Sequence, residues 1–362
     1  MSKRKVYLHI GAPKTGTTYV QDRLALNARG LTGHGVHFPN KRLFADPTLF
    51  HFRAALDLLG QDWGGPSGHA DGSWATMLKQ VRRRSGTVII SHEILAPAPA
   101  DKIARVMNDL SDSEIHVVYS ARDMVRQLPA AWQESVKQGR RWTFERFLAK
   151  AEHGSPWFMK AFDLPAVLEA WGRSLPPERL HVVTVPQGRT DSNLLWKRFC
   201  TAFGVDPTWA PLDSERSNAG LGVAETELLR RLNRQLDRTT RSTAAHDELI
   251  QTMLDRSELG RRRSRKVQLP PAHYAWAQGE AERWIAWAER VGVDVVGDLA
   301  DLRSGEPPAD LPEDPNEVRA KAITKAAVSA LTVMTREAAS RPDPSREIGA
   351  RLKARAEQMR QR

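Results

Sequence analysis

The densest chemical signal in the chain lies in His9-Ile10-Gly11-Ala12-Pro13-Lys14-Thr15-Gly16-Thr17-Thr18-Tyr19-Val20, where a lysine, two glycines and three threonines crowd together. Glycines let a backbone approach a ligand closely, and successive amides beside an ammonium can hold an anion. The spacing of Gly11 and Gly16 matches the first half of the triphosphate loop GxxxxGK[ST], but Thr17 follows Gly16 and the lysine stands at position 14. In the triphosphate version the lysine follows the second glycine and the next hydroxyl holds Mg²⁺. A lysine inside the loop, backed by Thr17 and Thr18, suits a 5′-phosphosulfate, whose transferring group carries less charge and need not be neutralised by metal. An ordinary glycine turn between a strand and a helix is the plain alternative.

Two further places could do chemistry. His92 and Glu93 follow the apolar run Thr87-Val88-Ile89-Ile90-Ser91, and Arg122 follows Ile115-His116-Val117-Val118-Tyr119. A histidine or a carboxylate can accept a proton, and a guanidinium fork can hold two phosphate oxygens. For Arg122, an ion pair with Asp123 or Asp112 at the strand end is the competing reading.

These residues need elements to position them. Val6, Leu8 and Ile10 read as a short strand bounded by Gly11, while Val20 and Leu24 open a helical stripe that Gly30 can close. The loop therefore sits at a helix N-terminus, where the first amides lack intrahelical partners. Further on, Gly35-Val36-His37-Phe38 predicts a short strand stopped by Pro39, and His181-Val182-Val183-Thr184-Val185 predicts another. Helices are expected over 47–60, 73–84, 100–110 and 191–203. Strands alternating with such helices predict an α/β fold, a parallel β-sheet flanked by helices. In such sheets ligands bind beyond the carboxyl ends of the strands. If the strands before Lys14, His92 and Arg122 are neighbours, the three signals become one site.

With those residues in hand, His9 to Val20 resembles the 5′-phosphosulfate loop of sulfotransferases that use 3′-phosphoadenosine 5′-phosphosulfate (PAPS), and the core to about residue 225 is similar in layout to bacterial members of that P-loop-like superfamily. The resemblance implies that Lys14 is catalytic and that Lys14, Thr15, Gly16, Thr17 and Thr18 bind the cosubstrate. It also implies that Arg122 pairs with the 3′-phosphate, and that Arg216, with Asn218, makes a late nucleotide contact. A helix-entry loop explains Arg216 to Gly220 almost as well. Where many members carry a serine eight residues after the arginine, this chain has Ala130, next to a helix-disturbing Pro129; Gln127, Gln133 and Ser135 are the possible substitutes. The base is His92 or Glu93, which strand geometry would point apart. Nearby Lys14 and Arg122 disfavour a charged imidazole, which favours His92 by a modest margin. Trp142, Phe144, Phe147, Trp157, Phe158 and Phe162 lie where relatives border an acceptor pocket, although core packing accounts for most of them.

Composition bounds the rest. The 362 residues are 41% apolar, enough for a sizeable core, and no stretch approaches the length of a membrane span. The single cysteine, Cys200, sits among Trp196, Phe199 and Phe203 and reads as a buried thiol. A net charge of +11 attracts polyanions, but no nucleic-acid module appears, and Arg261 to Lys266 reads as a solvated basic run. The glycine-rich break at 63–68 is either a loop over a pocket or a surface connection. Residues 1–225 are expected to form the PAPS-binding core and 226–362 a helical C-terminal extension packed on it. There Gly292 to Leu299 resembles a recurring tail segment of bacterial relatives. Apolar residues at 318, 322, 323, 327, 330, 331 and 334 mark one helical stripe, facing the core or a second copy in a homodimer, and 345–362 is expected to fray. The reading is a cytoplasmic, metal-independent sulfotransferase acting on a small-molecule, carbohydrate or lipid acceptor through a hydroxyl or amine. A nucleotide kinase on a degenerate loop and a basic nucleic-acid or partner-binding protein are the alternatives.

Overall fold

The computed structural model describes residues 3–40, 47–188, 193–215, 221–241, 246, 249–250, 265–307, 314–315 and 317–340. Among these, six strands form one parallel sheet: β1 (Lys5–Gly11), β2 (Val36–His37), β3 (Thr87–Ser91), β4 (Glu114–Ala121), β5 (Leu180–Thr184) and β6 (Asp294–Val296). Their order across the sheet is β2-β3-β1-β4-β5-β6. The chain leaves β1 toward β2 and β3, then crosses to β4 on the other side, so the ends of β3, β1 and β4 mark the switch point.

Alternation along each strand builds two cores. Val6, Leu8 and Ile10 of β1 join Val88, Ile90, Val117 and Val182 on one face, under helices Pro47–Leu59, Ser73–Arg82 and Met124–Lys137. Tyr7, Ile89, Val118 and Val183 face the other way, against Val20 and Leu24 of helix Thr17–Leu26 and Trp196, Phe199 and Phe203 of helix Leu194–Phe203. Cys200 is fully buried in this second core, and burial pushes its thiol up to about 12. Pro129 lies inside Met124–Lys137 without ending that helix, its ring on the buried face.

Beyond residue 225 the described residues are largely helical. Helix Tyr274–Val291 packs on Met124–Lys137 and Leu164–Gly172, and then β6 adds itself to the edge of the sheet beside β5. The segment 292–299 is thus a strand and its flanks. Helix Ala320–Ser340 packs on Val223–Gln235 of the same chain through Ile323, Ala326, Ala330 and Val333. Its apolar stripe is narrower than expected, because Leu331 is 61% exposed. Among the described residues no helix is long and apolar enough to cross a membrane. Arg261 to Ser264 of the basic run and residues 345–362 lie outside the described residues.

Candidate functional site

The loop after β1 is held by its carbonyls. Ser120 Oγ donates to Gly11 O at 2.9 Å and Thr15 Oγ1 to Ala12 O at 2.5 Å; Gln127 Nε2 donates to Pro13 O at 2.9 Å and Arg122 Nη1 to Lys14 O at 3.0 Å. A trans peptide points its N–H opposite its C=O. Pinning Pro13 O and Lys14 O toward β4 and its following helix therefore turns the amides of Lys14 and Thr15 the other way. Among the described residues none of the amides of 14 to 18 finds a backbone acceptor. Gly16 then starts helix Thr17–Leu26 at φ 93°, a left-handed conformation that favours glycine, and no side chain caps that end. Lys14 itself adopts φ 65°, rare for a residue with a Cβ.

A polar strut lies beneath the loop. His9, fully buried on β1, meets Ser91 Oγ of β3 at 2.7 Å and Ser120 Oγ of β4 at 3.4 Å, and Ser120 Oγ meets Thr15 Oγ1 at 2.5 Å. Burial, against some opposition from Glu93, lowers the imidazole to about 4, so it stays neutral. Its signal in the sequence is a polar residue amid an apolar strand.

β3 and β4 flank β1, so Lys14, His92 and Arg122 do follow adjacent strand ends. Arg122 is no strand-end ion pair, because Asp123 is taken by Arg126 and Asp112 by Arg4. Among the described residues its Nε, sealed from solvent, has no partner, and burial together with Arg126 lowers its pKa to about 10 despite Asp123. The proposed stand-ins for the serine missing at Ala130 are already engaged: Gln127 on Pro13, Gln133 on Leu221 O and Thr226 Oγ1, Ser135 on Trp132 O. Arg216 and Asn218 lie outside the described residues.

His92 and Glu93 do not diverge as strand neighbours would. The chain turns at His92 into a short 3-10 helix, Glu93–Leu95, and His92 Nδ1 comes within 3.9 Å of Glu93 Oε2. His92 Nδ1 accepts from Ile94 N at 3.3 Å, so a neutral ring carries its proton on Nε2 and offers a donor there. Burial lowers the His92 pKa, with Glu93 opposing. Burial pushes Glu93 up, but His92, its own backbone amide, Lys14 and Gln21 outweigh it, and the carboxylate lies below its ordinary range. Gln21 Nε2, on the helix after the loop, fixes Glu93 at 3.3 Å and Ser91 Oγ at 3.1 Å.

Lys14 has one further neighbour. Glu134 Oε2 receives Lys14 Nζ at 2.5 Å, from the same helix as Gln127 and two turns on. The glycine-rich break also lies near the site: Trp63, 46% exposed, meets Phe52 edge-on at 5.0 Å, and Phe52 lies 5.0 Å from His92. Phe144, Phe147, Phe158 and Phe162 are buried in the core, as packing predicts, while Trp157 is exposed.

No family model matches the chain, and no curated protein matches it. Among solved structures, the crystal structure of a sulfotransferase from Alicyclobacillus acidocaldarius is similar over 58% of this chain and 85% of that one, with 15% identity and a TM-score of 0.36. At that identity and score the likeness decides no chemistry, which is read from the site itself.

Proposed function

We propose that the protein is a sulfotransferase that moves a sulfuryl group from PAPS to a hydroxyl or amine. The observation carrying this reading is the pairing of two unmet demands for anions at adjacent strand ends. Among the described residues the amides of 14 to 18 lack backbone acceptors beside Lys14, and the Arg122 guanidinium keeps a sealed, unpartnered N–H. A donor with a 5′-phosphosulfate and a 3′-phosphate offers an anion to each.

In this reading the loop amides and Lys14 receive the 5′-phosphosulfate, Arg122 the 3′-phosphate, and Arg216 a later nucleotide contact. The acceptor oxygen or nitrogen forms a bond to sulfur as the bond from sulfur to the phosphate oxygen breaks. The electron pair leaves on adenosine 3′,5′-bisphosphate, where Lys14 and the amides meet the developing charge; one well-aimed donor of this kind contributes roughly 3 kcal/mol. The acceptor's proton goes to Glu93, because the His92 ring that accepts from Ile94 has a donor, not a lone pair, on Nε2. A weakly basic carboxylate suffices where the transition state is loose and positioning carries the rate. Residues 226–362 serve as an extension of the 1–225 core, and the acceptor is a small molecule, carbohydrate or lipid met in the cytoplasm.

Labelled PAPS, incubated in EDTA with sugars, phenols and lipids, should yield a labelled sulfated product. Phosphorylated products from Mg²⁺-ATP, with none sulfated from PAPS, would reverse the assignment in favour of a kinase.

A further inference from the structure

We infer that Glu134 stores the Lys14 ammonium while the loop is empty and surrenders it to an incoming anion, retaining Lys137 as its counter-ion. The inference rests on the reading of the loop as the 5′-phosphosulfate site. The lysine charge sits 2.5 Å from Glu134 Oε2, with the two side chains 30% and 24% exposed. An anion entering the loop must win the lysine from that carboxylate.

The helix has already arranged for the exchange. Lys137 lies 3.8 Å from the same Glu134 oxygen, three residues further along. Burial alone would raise the Glu134 carboxyl, but Lys14 and Lys137 together hold it below its ordinary range. When Lys14 leaves, Glu134 is therefore not left as a bare buried charge, which would be the costly outcome. The backbone need not follow the side chain. Gln127 fixes Pro13 O, and Arg122 fixes Lys14 O, so the moving part is the lysine side chain alone. Glu134 is thus a positioning residue that sets where the Lys14 charge resides, and it lowers affinity for the nucleotide to the extent that it competes.

Calorimetric titration of adenosine 3′,5′-bisphosphate into wild type, Glu134→Gln, Lys14→Ala and the double variant tests this as a double-mutant cycle. Glu134→Gln should tighten binding roughly three- to tenfold, the worth of a partly exposed ion pair. The same change should do nothing in the Lys14→Ala background. A merely structural Glu134 would give weaker binding on removal, and unchanged or weaker binding overturns the inference. Tightening that persists without Lys14 also overturns it, since Glu134 would then act by simple repulsion of the ligand. If wild type binds no bisphosphate, the sulfotransferase reading falls, and the ligand-free ammonium signal of ¹⁵N-labelled Lys14 decides. A slowly exchanging signal in wild type that is lost in Glu134→Gln supports storage; no such signal in wild type rejects it.

Discussion

The two ends of the sheet use the same residue types to opposite ends. At the amino end, Arg4 spends its guanidinium fully: Nε donates to Ser113 Oγ at 3.0 Å, Nη1 to Val81 O at 3.0 Å and Nη2 to Asp112 at 2.5 Å. At the carboxyl end, Arg122 makes one bond among the described residues, to Lys14 O, and buries an Nε that has no partner there. The histidines divide likewise. Glu114, His116, His181 and Asp294 form an unbroken chain across β4, β5 and β6, with contacts of 2.9, 2.9 and 2.6 Å. The outer ring nitrogens face carboxylates, and the inner two face each other. Tyr7 stacks on His116 at 4.7 Å, and Lys5 balances Glu114 at 3.7 Å. Nothing in that chain is left wanting a ligand. The difference teaches that residue type alone does not locate chemistry here; unmet demand does.

Three expected outcomes can break or sharpen the contrast. The largest is Glu93→Gln, which should cut sulfuryl transfer by roughly 10² to 10⁴ while bisphosphate affinity holds, as loss of a general base does. His92→Ala should cost less. Near-normal turnover in Glu93→Gln, with turnover abolished in His92→Ala, would return the base to the histidine and mean that its bond from Ile94 is not kept during transfer.

Next in size is the arginine pair. Arg122→Ala should weaken adenosine 3′,5′-bisphosphate by roughly 10- to 100-fold, the worth of hydrogen bonds to a charged group, with little change for adenosine 5′-monophosphate, which has no 3′-phosphate. Arg4→Ala should lower the melting temperature and leave both affinities alone. Equal losses for the two nucleotides in Arg122→Ala would make that arginine as structural as Arg4.

The smallest concerns pH. His9 titrates near 6.5 when unfolded and at about 4 when folded, so between those values the unfolded chain binds the extra proton. Stability should therefore be complete above pH 6.5 and fall as pH drops toward 4, by about 3 kcal/mol from this residue. His92 and His116, lowered in the same direction chiefly by burial, add to the slope. Urea denaturation of His9→Gln across that window should show a slope shallower by one proton. An unchanged slope would mean the strut beneath the loop is charged in the folded protein.

Much of this was legible in the sequence, for reasons that differ by residue. β1, β3, β4 and β5 announce themselves as β-rich apolar runs, and the parallel-sheet rule then places Lys14, His92 and Arg122 at neighbouring ends without any contact being known. β6 did not, because Asp294–Val296 is three residues long, only Val296 is buried, and it pairs on one side alone. Glu134 was hidden because its partner Lys14 is 120 residues away, a separation at which no local pattern speaks. The shared direction of His92 and Glu93 was hidden too, because a 3-10 turn rather than continued strand follows Ser91.

In the proposed function the loop and Arg122 together receive a nucleotide with 5′- and 3′-phosphoryl groups. Calorimetric titration of adenosine 3′,5′-bisphosphate in EDTA, beside ATP with Mg²⁺, tests it most directly. Saturable, metal-independent binding of the bisphosphate with a raised melting temperature is expected, whereas metal-dependent ATP binding and none of the bisphosphate would overturn the proposal.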